Sequence, residues 1–229
     1  MRADDIPEIR QLPLFADMEQ GNFETLIRGA YVQTFPPQIE LITEGDRSDF
    51  LHIVIEGSVE LFASWNRNET VMATVRPIST FILAATIKDA PYLMSARTLE
   101  RSRVVLLPSG DVRKVFEYDN AFARAVVTEL AQCYRGVVRH AKELKLRSSI
   151  ERLANYILRH AHGRTTFDLG IEKRRLASYL NMTPENLSRA IRALQPYGVR
   201  IDGAQVTIES AGDLDRFAKP SHLIDDPTG

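Results

Sequence analysis

Residues 171–194 read IEKRRLASYLNMTPENLSRAIRAL, and the order of residue types predicts two short helices joined by a tight turn. The first helix runs to about Leu180, where Asn181 suits the left-handed conformation that ends a helix. Thr183 offers an N-cap hydroxyl, and Pro184 takes the first helical position, where a missing N–H costs nothing. On the second helix Leu187, Ile191 and Leu194 recur at i, i+4 and i+7. They form a stripe for burial against Leu176, Ala177 and Leu180 of the first.

The opposite face carries Glu185, Ser188, Arg189 and Arg192 at i, i+3, i+4 and i+7, all projecting from the part of such a helix that enters a major groove. Their chemistry matches base edges. Arg189 suits a bidentate contact to guanine O6 and N7, Glu185 accepts from cytosine N4, and Ser188 bonds either kind of edge. The Thr183 hydroxyl and the positive end of the helix suit a phosphate, which fixes register without reading sequence. A solvated helical hairpin would carry the same polar face with no function. Against that stand the cap, the two stripes and a hairpin that follows, Val199–Ile201 and Val206–Ile208 flanking Asp202-Gly203. Together they predict a winged helix-turn-helix with double-stranded DNA as partner.

The charge pattern is local. The whole chain of 229 residues has a net charge of -1. Between Glu172 and Arg192, however, Lys173, Arg174, Arg175, Arg189 and Arg192 oppose only Glu172 and Glu185. A basic segment inside a neutral chain favours a confined anionic contact.

Upstream of this segment, Ile150 to Ala161 reads as a helix and Phe167–Leu169 as a short strand. Further upstream, after Pro108, the pattern becomes one long helix. Val126, Leu130, Cys133, Val137, His140 and Leu144 fall at spacings of 4, 3, 4, 3 and 4, the heptad pattern of a coiled coil. Packing on the protein's own N-terminal domain would use such a stripe. Its persistence for nearly three heptads favours pairing with a second copy, making the protein a homodimer.

From Thr34 to Leu107 the sequence turns to short β-rich runs: Leu41-Ile42, Phe50 to Ile55, Val59 to Phe62, Val71 to Val75 and Val104 to Leu107. Turn signals at Pro36-Pro37, Glu44-Gly45-Asp46, Glu56-Gly57 and Asn66-Arg67-Asn68 separate them. Strands this short and this frequent predict a small barrel or jelly roll. The apolar residues between Leu12 and Val32 suggest one or two short helices before it. The fold class is therefore α+β: a small barrel or jelly-roll domain at 1–118, a dimerisation helix at 119–146, a winged helix-turn-helix domain at 147–220 and a frayed tail at 221–229.

Cys133 is the single cysteine, which excludes an internal disulfide and a four-cysteine metal site in one chain. MRADDIPEIR carries acids and a proline where a signal peptide would need a basic flank and an apolar run, and no later apolar stretch approaches membrane-spanning length, so a cytoplasmic location is expected, with no membrane partner. No nucleophile–base pair or phosphate loop stands out, and the barrel offers only His52 as a metal-binding histidine, so enzymatic activity is not expected.

From about Leu14 to Phe217 the chain resembles the family of the cyclic AMP receptor protein and the fumarate-nitrate reduction regulator. The resemblance is most specific in LITEGDRSDFLHIVIEGSVELF (Leu41 to Phe62) and LASYLNMTPENLSRAIRAL (Leu176 to Leu194). It implies a β-roll sensor, a long dimer helix, a winged helix and RNA polymerase as a further partner. The arrangement Glu185-x-x-Ser188-Arg189 is similar to that of the fumarate-nitrate branch and implies a two-fold operator with TTGA-like half-sites. Where cyclic-nucleotide-binding relatives carry Gly-Glu and Arg-Ser, this chain has Phe81-Ile82-Leu83-Ala84 and Met94-Ser95, so cyclic AMP is not expected to bind. The redox branch's N-terminal cysteine cluster is missing, so an iron-sulfur cluster is not expected either. FPPQIELITEGDRSDFLH and RPISTFILAATIKDAPYLMSARTL look closest to nitric-oxide-responsive regulators of denitrification genes. That implies a response to nitric oxide or low oxygen, with haem a candidate cofactor and His52 and His140 its candidate ligands. Another small-molecule effector, or oxidation of Cys133 to an intersubunit disulfide, is the alternative switch.

Overall fold

In a computed structural model, residues 5–66 and 68–226 are described. The chain divides into two compact units, Met1–Cys133 and Tyr134–Gly229.

The first unit opens with α1 (Asp5–Arg10) and α2 (Gln20–Arg28), then β1 (Tyr31–Phe35), β2 (Glu40–Ile42), β3 (Phe50–Glu56), β4 (Val59–Trp65), β5 (Asn68–Val75) and β6 (Ser79–Phe81). There follow α3 (Leu83–Lys88), β7 (Ser95–Thr98), β8 (Ser102–Pro108), α4 (Ser109–Tyr118) and the start of α5 (Asn120–Leu146). Two four-stranded antiparallel sheets, ordered β1-β8-β3-β6 and β2-β7-β4-β5, form the roll. β3 is buried on both faces, which explains its unbroken apolar run. Val54 joins Ile42, Leu61, Phe81, Ala96 and Val104 in one core, while Leu51, Ile53 and Ile55 join Phe15, Phe23, Leu26 and Phe122 in another. Gly57 holds the turn between β3 and β4 at φ 80°, and a Cβ there would lie 2.5 Å from Ser102 Oγ. Only glycine fits that turn.

The expected strands at 41–42, 50–55, 59–62, 71–75 and 104–107 all lie within observed ones. β1, β6 and β7 were not anticipated, because their residues are short runs mixed with polar side chains that carry no clear alternation.

His52 faces the roll core beside Phe81, ring centroids 5.1 Å apart, and is 4% exposed with no partner for its Nδ1. Burial lowers its pKa from 6.5 to about 4, the Phe50 backbone pulling weakly the other way. Between those values the unfolded chain takes up a proton that the folded chain refuses. The stability present above the unfolded pKa is therefore lost as pH falls through the folded one, by on the order of 3 kcal/mol in full. Chemical unfolding at pH 7 and pH 4.5 is expected to show this loss in the wild type and a shallower one in His52→Phe. Equal slopes would show that His52 is not its source.

α5 departs from the expected seam at its start. Val126 is fully buried in the first unit's own core, with Leu130 packed partly against the same core. The exposed large apolar side chains of α5 are instead Val127, Tyr134 at 70%, Val137 at 68%, Val138 and, at its end, Leu146. Cys133 is exposed beside this stripe, and the half-buried His140 ring lies 5.8 Å from Tyr179 of its own chain. Of the expected seam, Val126 thus faces the chain's own core, while an exposed apolar row runs through Val127, Tyr134, Val137 and Val138. Adjacent helix positions differ by about 100°, and Val126 and Val127 are both apolar, so spacing alone could not choose which of them faces outward.

The second unit contains the end of α5, then α6 (Ser149–Ala161), β9 (Thr166–Asp168), α7 (Lys173–Tyr179), α8 (Pro184–Ala193), β10 (Val199–Asp202), β11 (Gln205–Ile208), α9 (Ala211–Ala218) and α10 (His222–Asp225). β9, β10 and β11 form one antiparallel sheet in the order β10-β11-β9. Asp202 pairs with Gln205 across the hairpin, so the turn residues are Gly203 and Ala204, one position beyond the expected dipeptide. The core gathers Leu153, Ile157, Leu176, Leu180, Leu187, Leu194, Val199, Val206 and Leu214. Fully burying each such side chain contributes about 1.5–3 kcal/mol.

The expected frayed tail at 221–229 is corrected over its described part. Residues 221–226 include α10, and Asp225 accepts from Arg147 at 2.7 and 2.6 Å and from Arg159 at 2.6 Å. Residues 227–229 lie outside the described part of the chain.

Candidate nucleic-acid interface

The turn between α7 and α8 is built as its residues dictate. Asn181 sits at φ 51°, and the Met182 N–H reaches back to the Ala177 carbonyl at 2.9 Å, closing α7. Thr183 Oγ1 accepts from the Asn186 N–H at 3.2 Å, and Pro184 opens α8. Leu187, Ala190 and Leu194 are buried against Leu176, Ala177 and Leu180, with Ile191 packed partly against them. α8 is thereby held by one side.

Its other side is free. Thr183, Glu185, Ser188, Arg189 and Arg192 are all exposed, so every residue expected to meet DNA stands on one solvent-facing surface. The Glu185 carboxylate is held below the usual carboxylate range by its own backbone N–H and the Thr183 hydroxyl, with Arg189 adding to the effect. It is therefore an acceptor near neutral pH. Ser188 donates its hydroxyl proton to the Pro184 carbonyl at 3.0 Å, which leaves oxygen lone pairs facing outward. Arg189 donates to Asn186 Oδ1 one turn back. Asn186 was not singled out from the sequence, although its i, i+3 spacing from Arg189 is the signal that places it there.

Lys173 and Arg174 are exposed in the first turn of α7. A helix N-terminus disfavours cations, so these two gain little from their own helix and suit an anion brought from outside. On the β10–β11 hairpin Arg200 pairs with Glu209 at 2.8 Å.

The roll interior is apolar where an anionic ligand would need a cation. Phe81, Ala85, Tyr92 and Ala96 line its core, Ile82 and Met94 pack against it, and Ser95 Oγ accepts from the Glu44 N–H at 2.9 Å. Arg97, the guanidinium on β7, is bound by Glu60 and Glu69 and stacked over Phe62 at 4.3 Å. Neither candidate haem ligand fits its role as placed. His52 is closed in by the roll with Phe81 against its ring, and His140 leans on Tyr179, whereas an axial imidazole needs a porphyrin-sized space at one nitrogen. Among the described residues no group of three or more His, Cys, Asp or Glu side chains is placed to hold a metal ion. The exposed Cys133 has its pKa raised by partial desolvation and by Glu129, the opposite of what makes a reactive thiolate. Among the described residues no helix is long and apolar enough to cross a membrane.

Comparison with known proteins matches one segment in each unit. Residues 32–119 match the cyclic nucleotide-binding domain and residues 151–217 match the Crp-like helix-turn-helix domain. FixK2 from Bradyrhizobium japonicum is similar in fold, with a TM-score of 0.70 at 20% identity over 84% of this chain and 98% of that one. The c-di-GMP responsive global regulator CLP of Xanthomonas campestris superposes with a TM-score of 0.67 at 17% identity, covering 84% of this chain and 100% of CLP. The catabolite activator protein of Thermus thermophilus gives 0.50 at 21% identity, covering 90% and 98%. Potassium channel KAT3 from Arabidopsis thaliana is 23% identical over 112 residues, 49% of this chain but only 17% of the channel's length.

Proposed function

With a cyclic nucleotide-binding domain followed by a Crp-like helix-turn-helix, the chain belongs to the cyclic AMP receptor protein/fumarate-nitrate reduction regulator family of DNA-binding transcription regulators, and we propose that it acts as a homodimer on a two-fold DNA site with TTGA-like half-sites. The observation that carries this reading is the single exposed face of α8, where Glu185, Ser188 and Arg189 stand together while the opposite face is core. Arg189 takes guanine O6 and N7, and Glu185 accepts from a cytosine amine. Ser188, its proton already committed to Pro184, accepts from a base amine. Thr183 and Arg192 flank these readers and suit the phosphates. The dimer forms along Val127, Tyr134, Val137, Val138 and Ala141, and its two-fold axis explains a palindromic site. Selection from a random DNA pool is expected to return such a palindrome; recovery of unrelated sequences with no shared element would refute the reading.

The regulator works in the cytoplasm, recruits RNA polymerase and activates genes for nitrogen-oxide respiration when nitric oxide is present or oxygen is scarce. The likeness of residues 35–52 and 76–99 to nitric-oxide-responsive regulators supports that assignment. The effector is not a cyclic nucleotide, because a phosphate in this roll would meet apolar side chains and an arginine already neutralised by two carboxylates. Calorimetric titration with cyclic AMP is expected to give no saturable heat; micromolar binding would contradict this.

A further inference from the structure

Arg152 occupies the first turn of α6, the end of a helix that disfavours a cation, and it is 9% exposed. Helix stability is no reason for an arginine there. The reason lies in what its planar fork reaches: Nε donates to the Leu180 carbonyl at 2.9 Å, one terminal nitrogen to the Asn181 carbonyl at 3.2 Å, and the other to the Arg147 carbonyl at 2.8 Å. Leu180 and Asn181 close α7 in the turn before α8, and Arg147 follows the last residue of α5. The guanidinium thus sits where two helix C-termini meet, both of which present orphan carbonyls and partial negative charge. A lysine, with one point charge, cannot span all three carbonyls.

A second set of contacts braces the same joint from outside. Asp225 holds Arg147 and Arg159, and Glu143 on α5 holds Arg159 at 3.1 Å and faces Arg147 at 3.7 Å. Arg147 and Glu143 are each 7% exposed, so water screens this cluster little.

We propose that Arg152 is a positioning residue that fixes the turn before α8 to the end of α5, so that the long helix sets the direction in which the DNA-reading face points. Its consequence for DNA rests on the function proposed above, whereas its consequence for the free protein does not.

The test uses the full chain with Arg152→Gln, Arg152→Lys and, should the first fold poorly, Asp225→Asn. In the free protein, amide hydrogen exchange at Met182 and Leu187 is expected to quicken about tenfold in Arg152→Gln while amides of β10 and β11 keep their rates. Lysine is not expected to restore the wild-type rates. On DNA, the wild type is expected to prefer one half-site spacing by about tenfold over sites one base pair longer or shorter, falling to about threefold in the glutamine variant with base preference unchanged. No change in exchange, a uniform rise across the whole domain, or full rescue by lysine would overturn the proposal. Wild type failing to bind any palindrome would count against the DNA reading instead, and the exchange result would still decide the role of Arg152.

Discussion

Replacing Arg189 with alanine is expected to weaken binding to the preferred half-site by about 1–3 kcal/mol, roughly fivefold to 150-fold, and to abolish selection at one guanine. The argument is geometric. Arg189 is exposed on α8, and its guanidinium is steadied by Asn186 on the same helix face. A planar fork with part of its freedom already removed loses less entropy on docking to a guanine edge, and its two parallel donors match O6 and N7. The loss should therefore be specific: competition binding against half-sites altered one base at a time is expected to show a flat response at one position and normal responses elsewhere. A uniform loss across all sequences would make Arg189 a phosphate contact.

Introducing glutamate at both Tyr134 and Val137 is expected to split the dimer and reduce affinity for the palindrome by about a hundredfold or more, because binding of the second half-site ceases to be intramolecular. Both side chains are more than two-thirds exposed in the single chain, so the change leaves the monomer's own packing intact. In a symmetric helix pair each would face its counterpart, placing like charges together in a desolvated seam. Sedimentation should report a monomer that still binds an isolated half-site as the wild type does. Cys133→Ser and His140→Gln should leave the dimer intact, since the first lies beside the stripe and the second packs on Tyr179. Dissociation by the latter pair, with survival of the glutamate variant, would restore the 126, 133, 140 register.

The helix-turn-helix was legible in the sequence because each of its signals acts over a few residues. Asn181 stops one helix, Thr183 caps the next and Pro184 opens it, without help from distant groups. β3 and β8 were legible for a different reason: burial on both faces imposes a continuous apolar run. What was missed depends on partners far away in the chain. Nothing local marks Asp225 as ordered, for its arginines lie 78 and 66 residues upstream. Val126 and Val127 look equivalent until the N-terminal core claims the first. Arg152 reads as an ordinary helix surface residue until the carbonyls it satisfies, 28 and 29 residues onward, are brought beside it.

The most direct test of the central claim is methylation interference on the selected palindrome. Methylation of guanine N7 projects a methyl group into the major groove where the Arg189 fork would sit. Wild-type protein is expected to lose binding when one guanine per half-site is methylated, and Arg189→Ala to become indifferent to that same mark. Equal sensitivity in both proteins, or none in either, would contradict the placement of α8 in the groove.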